Sequence, residues 1–100
     1  QSAMAHERRA LNDAEVSEAL ATLPGWRREG DALARTFEFG TYKDGVVFAA
    51  AVGFLADRLD HHPDLTLGYR KVEVRLSTHD VGGISGLDAE LARRIDTLLN

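Results

Sequence analysis

Four histidines occur in the 100 residues, and three of them stand where they could act together. His61 and His62 are adjacent in "LDHHPDL", behind Asp60 and before Pro63, and His79 follows in "STHD". Imidazole has an unperturbed pKa of about 6.5, so it can give or take a proton near neutrality, and such a trio suits general acid–base chemistry. Asp57 lies four residues before His61. On a continuing helix the two share a face, and the carboxylate would favour the imidazolium and fix a ring tautomer. Two further readings use the same residues. A histidine pair at a helix C-terminus complements the helix dipole and need do nothing more. Three imidazoles and a carboxylate are also sufficient chemistry for zinc, although the chain has no H-E-x-x-H or similar compact ligand pair.

The elements that must position these residues follow from hydrophobic period. "NDAEVSEALATLPGW" opens with Asn12 and Glu15 at capping-box spacing, carries Val16, Leu20 and Leu23 on one stripe, and ends as a helix at Pro24-Gly25. From Trp26 to Phe39 the pattern predicts a β-hairpin turned by "EGDA", with Leu33, Phe37 and Phe39 on one parity and Ala34, Thr36 and Glu38 on the other. A helical pattern begins at Tyr42 or Lys43. Phe48, Val52, Leu55 and Leu59 form its stripe, and Val47, Ala51 and Phe54 widen it into the face of a central helix packed on a sheet. Pro63 drives His62 out of the α region, so this helix must finish near Asp60, with the histidine pair at its C-terminus.

Next, "TLGYRKVEVRLST" alternates, with Val72, Val74 and Leu76 on one side and Lys71, Glu73 and Arg75 on the other. It predicts a half-buried strand after a short partner around Leu65 to Tyr69. "HDVGGISG" reads as a loop. Ser85 with Asp88 three residues on is a capping box with Asp in the Glu position, and Leu87, Leu91, Ile95 and Leu98 continue as the stripe of a last helix. The expected fold class is therefore α+β: a two-layer sandwich in the order α-β-β-α-β-β-α, a four-stranded antiparallel sheet with three helices on one face. Residues 1–100 are expected to form a single domain, with 1–10 flexible or partly a tag. Leu65 and Trp26 read as core residues, and a free sheet edge could be covered by pairing across a two-fold axis.

Composition bounds the function. A content of 44% hydrophobic and 28% charged residues describes one globular domain, and a formal charge of −4 gives no electrostatic reason to bind nucleic acid. No cysteine is present, so thiolate nucleophiles, disulfides and cysteine-based metal sites are excluded. The longest apolar stretch, "GVVFAAAVGFLA", is far shorter than the roughly 20 residues that span a bilayer. No membrane association is expected, and the expected location is the cytoplasm.

Asp57, three residues, His61-His62-Pro63, five residues to Tyr69, nine to His79 and eight to Asp88 resembles the signature of the pterin-4a-carbinolamine dehydratases. "KVEVRLSTHDVGGISGLDAELA" and "LPGW" resemble that family's second strand pair with its last helix, and its first helix-to-strand turn. The resemblance implies dehydration of a 4a-hydroxytetrahydropterin to quinonoid dihydropterin and water, the recycling step after aromatic amino-acid hydroxylation, with no cofactor or metal. By the same resemblance His61, His62 and His79 are catalytic, with His61 and His79 donating protons to the 4a-hydroxyl. His62 holds the ring and accepts the N5 proton. Asp57, Asp60 and Asp88 are supporting carboxylates, and Ser77 and Thr78 join His62 and His79 in binding substrate. Two departures stand out: the family commonly has Glu where this chain has Asp57, and an aromatic residue near Leu65. The resemblance further implies a homodimer or homotetramer, with an aromatic amino-acid hydroxylase as a candidate protein partner. Relatives of this fold that serve as dimerisation or assembly factors supply the alternative, a binding role without catalysis.

Overall fold

The computed structural model describes residues 8–100. Of the ten N-terminal residues expected to be flexible, 1–7 lie outside that range, while Arg8 is ion-paired to Asp80 and Arg9 to Glu15. The order of elements is α1 (Asp13–Ala21), β1 (Arg27–Glu29), β2 (Ala32–Glu38), α2 (Tyr42–Leu59), β3 (Asp64–Leu67), β4 (Lys71–Leu76) and α3 (Gly86–Asp96). All strand pairs are antiparallel in the order β1-β2-β4-β3, so β3 and β1 are the edges.

Both capping boxes form. Asn12 and Glu15 exchange hydrogen bonds at the start of α1, and Ser85 and Asp88 do so at the start of α3. Hydrogen bonds from Arg9, then from the Asn12 backbone, hold the Glu15 carboxyl down at about 2. Period then decides the core: Leu33 and Phe37 from β2 and Val72, Val74 and Leu76 from β4 face Phe48 and Val52 of α2, and Leu91 and Ile95 of α3. Phe48 anchors the centre, with ring centroids 4.7 Å from Phe37 and 5.1 Å from Phe39. Trp26 is buried with its Nε1–H on Asp96, as its place beside the core leads one to expect.

Two expectations about burial change. Ala34, on the outward parity of β2, is fully buried, because it lies in register between Arg27 and Arg75. The stems of those arginines cover it while their heads bind Glu29 and Glu73. Those bonds hold the Glu29 carboxyl below its ordinary range, Arg27 first and Arg75 second. The apolar face of α2 is also wider than the core needs. Only Gly45, Phe48, Val52 and Ala56 are buried, Leu55 and Leu59 are half-buried, and Val47 and Phe54 stand 61% and 75% exposed. No helix among the described residues is long and apolar enough to cross a membrane.

Candidate active site

The site is built where three chain segments meet: the end of α2, the end of β4, and the start of α3. Helix α2 stops in a Schellman-type closure, in which the His61 N–H reaches the Ala56 carbonyl at 3.1 Å and the Asp60 N–H reaches Asp57 at 3.2 Å. This closure needs a left-handed residue, and Asp60 supplies it with φ 49°. Glycine is usual there; Asp is one of the few side chains that visit this region. The reversal sends His61 inward and His62 outward.

The carboxylate pairing therefore differs from the expectation that Asp57 serves His61. His61 Nε2 lies 2.5 Å from Asp88 Oδ1, 27 residues away on α3, with the two side chains 7% and 0% exposed. Asp57 instead meets His62 Nε2 at 2.9 Å, with both side chains largely in solvent. The physical reason is the left-handed turn: it lifts His61 off the helix face that carries Asp57 and brings His62 round to that face.

Strand β4 delivers the third histidine. Past Leu76 the chain makes an isolated bridge between Thr78 and Gly83, and within it a single 3-10 turn over His79–Val81, closed by Gly82 at φ 68°. The segment expected to be a plain loop thus presents His79 in a fixed turn. A cavity of about 290 Å³ lies between the two segments, lined by Asp60, His61 and His62 on one side and Ser77, His79 and Asp80 on the other. Arg8 closes its rim, 3.3 Å from Asp80. The volume is near the small end of the range for small-molecule sites.

Of the expected site residues, the structure brings His61, His62, His79, Asp60 and Ser77 to this one cavity. Asp88 touches it through His61, and Asp57 through His62. Thr78 does not line it: its hydroxyl is buried against Asp88 at 2.9 Å and Ser85 at 2.7 Å. Tyr69 stands exposed after the end of β3, against Arg70 and away from the histidines. Leu65, expected in the core, is 37% exposed and lines a neighbouring apolar groove with Phe54 and Pro63, on the far side of His62. Arg8 and Asp80 were not foreseen as lining residues. Asp80 had a signal, its place next to His79; Arg8 had none, since it precedes every periodic segment. Among the described residues no group of three His, Asp or Glu side chains is placed to hold a metal ion.

Comparison with known proteins bears on the family of the chain. The family model described as pterin 4 alpha carbinolamine dehydratase matches residues 9–98. A protein of Natronomonas pharaonis provisionally named pterin-4-alpha-carbinolamine dehydratase is 53% identical over 89 residues, covering 88% of this chain and 94% of that one. One of Roseiflexus castenholzii with the same provisional name is 44% identical, covering 89% and 96%. The crystal structure of a transcriptional coactivator/pterin dehydratase from Brucella melitensis superposes with a TM-score of 0.88 at 33% identity, over 92% of this chain and all of that one. A pterin dehydratase-like protein identified as a RuBisCO assembly factor in the alpha-carboxysome shares the fold alone, at TM-score 0.59 and 24% identity over 73% of this chain and 84% of that one. With its α+β sandwich and its family match across nearly the whole length, the chain belongs to the pterin-4-alpha-carbinolamine dehydratase family.

Proposed function

We propose that the protein dehydrates a 4a-hydroxytetrahydropterin to the quinonoid dihydropterin and water, in tetrahydropterin recycling in the cytoplasm. The observation that carries this reading is the convergence of His61, His62 and His79 on one cavity in a chain of this family. Hydroxide is a poor leaving group, so the 4a-oxygen must gain a proton as the C4a–O bond breaks. The N5 lone pair forms the new C4a–N5 double bond, and the N5 hydrogen then leaves as a proton to give a neutral product. Water is the sole by-product, so the balance requires neither electrons nor a metal.

His61 and His79 are the donors to the 4a-oxygen. They come from opposite walls of the cavity, so they could serve opposite faces of the ring. His62, exposed and paired with Asp57, accepts the N5 proton and can release it to solvent. Asp60 and Ser77 line the same space and offer an acceptor and a hydroxyl to the ring's polar edge. The test is acceleration of pterin dehydration by the purified protein, with each histidine changed to Ala in turn; three unaltered turnover numbers would remove these roles.

One observation favours a second property. Val46, Val47 and Phe54 of α2 and Leu65 and Leu67 of the edge strand β3 are all substantially exposed, an apolar surface beside an unpaired strand edge. We infer that a second copy of the chain covers it, giving a homodimer or a higher homo-oligomer. Sedimentation of wild type beside Phe54→Glu tests this: an assembly that the variant dissociates is expected, and a wild-type monomer would contradict it. A hydroxylase or another protein on this surface is the binding alternative. Partner capture retained by a triple His→Ala variant would separate that role from catalysis.

A further inference from the structure

The two oxygens of Asp88 are used differently. Oδ1 meets His61, while Oδ2 accepts from the Thr78 hydroxyl at 2.9 Å and from the Ser85 backbone N–H at 2.9 Å. Thr78 Oγ1 and Ser85 Oγ are 2.7 Å apart, and Ser85 Oγ accepts the Leu87 N–H at 3.2 Å. Counting hydrogens gives this chain a direction. A hydroxyl has one hydrogen, and Thr78 uses its own on Asp88, so the Ser85 hydrogen must go to Thr78. The sequence of donation is Ser85 to Thr78 to Asp88, and every other contact of the carboxylate is a donor.

Two donors on Oδ2 favour the carboxylate form, which accepts at Oδ1 as well, and that arrangement puts a hydrogen on His61 Nε2. His61 makes its side-chain hydrogen bond through that atom, and among the described residues no buried side-chain nitrogen or oxygen lacks a partner. Nδ1 is therefore the ring nitrogen that reaches the small exposed part of the residue, in the cavity shared with His62, Ser77 and His79.

We propose that Thr78 and Ser85 are positioning residues that, through Asp88, lock His61 in the Nε2–H tautomer, so that Nδ1 is the atom that exchanges a proton with substrate. This rests on the dehydratase reading for its catalytic part only. In the donating step Nδ1–H passes its proton to the 4a-oxygen, the C4a–O bond breaks, water leaves, and His61 is left neutral with its hydrogen on Nε2. Nδ1 lies next to the Cβ side of the ring, so the reacting oxygen must approach close to the main chain of the Asp60–His61–His62 turn. Thr78, which by resemblance would bind substrate, acts from behind the histidine instead.

The experiment is a long-range proton–nitrogen correlation spectrum of the histidine rings in nitrogen-15-labelled protein, recorded on the alkaline side of the imidazole titration. It is run beside steady-state kinetics of wild type, Thr78→Val and Thr78→Ser. The expected results are hydrogen on His61 Nε2 in wild type and a kcat about 10- to 100-fold lower in Thr78→Val, the loss of one hydrogen bond to a charged group, with KM little changed. Thr78→Ser restores kcat to within about threefold, because the hydroxyl is what matters. Hydrogen on Nδ1 alone in the wild type would overturn the proposal, as would a folded Thr78→Val with wild-type kcat and spectrum. The wild-type spectrum decides the tautomer even if a variant fails to fold. An inactive wild type whose His61 carries its hydrogen on Nε2 would sink the dehydratase reading while leaving the positioning claim intact.

Discussion

His61 with Asp88 and His62 with Asp57 are the same chemical pair built twice within one turn of chain, and they differ in almost every physical respect. The first is buried and joins two elements 27 residues apart, and its carboxylate has all its contacts satisfied. The second spans five residues in solvent, its two side chains 59% and 78% exposed. A buried hydrogen-bonded pair is held because removing one partner leaves the other unsatisfied away from water. An exposed pair pays side-chain entropy for a weak, screened contact. On the proposed reading the difference suits the two tasks: the donor that must be aimed is fixed by the fold, and the acceptor that must hand its proton to water stands in solvent.

Substitution of the carboxylates should separate the two pairs most widely. Asp88→Ala leaves His61, the Thr78 hydroxyl and the Ser85 N–H without their partner, and a loss of about 1–3 kcal/mol for each buried group left unsatisfied is expected in urea unfolding. Asp57→Ala should cost no more than about 1 kcal/mol in the same measurement, shrinking further as salt is raised. Equal costs for the two would show that burial does not distinguish the pairs. In kinetics, His61→Ala is expected to lower kcat by about 10²–10⁴, the usual worth of a positioned acid, while leaving KM nearly unchanged. The effect of Asp57→Ala on kcat should be several-fold at most.

A smaller effect is expected at the start of α1, where Arg9 and Glu15 form a surface pair. Glu15 is held at about 2 by Arg9 and the Asn12 N–H, against an ordinary value of 4.5. A depressed folded-state pKa contributes stability that is present above 4.5 and is lost as pH falls through 2. Protection factors of the amides at the start of α1, the intrinsic exchange rate at each pH divided by the observed one, should therefore fall across that window, with the rest of the core still protected. Unchanged protection factors between pH 4.5 and 2 would mean that the capping box survives protonation.

The fold was legible because its elements are strongly periodic: alternation at Val72, Val74 and Leu76, a stripe through Phe48 and Val52, and two capping boxes of standard spacing. The histidines and Asp88 were also legible, as members of a spaced signature. Their pairing was not. It depends on a left-handed Asp60, where sequence rules look for glycine, and on a contact between α2 and α3 that no local spacing encodes. The breadth of the α2 stripe misled for a related reason, since period reports that Val47 and Phe54 are apolar but not whether this chain or a second one covers them. Arg8 at the cavity rim lies before the first periodic segment and left no pattern to read.

The central claim is that the cavity holding His61, His62 and His79 dehydrates a pterin carbinolamine. Its most direct test is the ultraviolet change of freshly generated 4a-hydroxytetrahydropterin with wild type beside folded His61→Ala and His79→Ala. The account predicts acceleration by wild type that falls in both variants. No acceleration by the folded wild type, or undiminished acceleration by both variants, would contradict it.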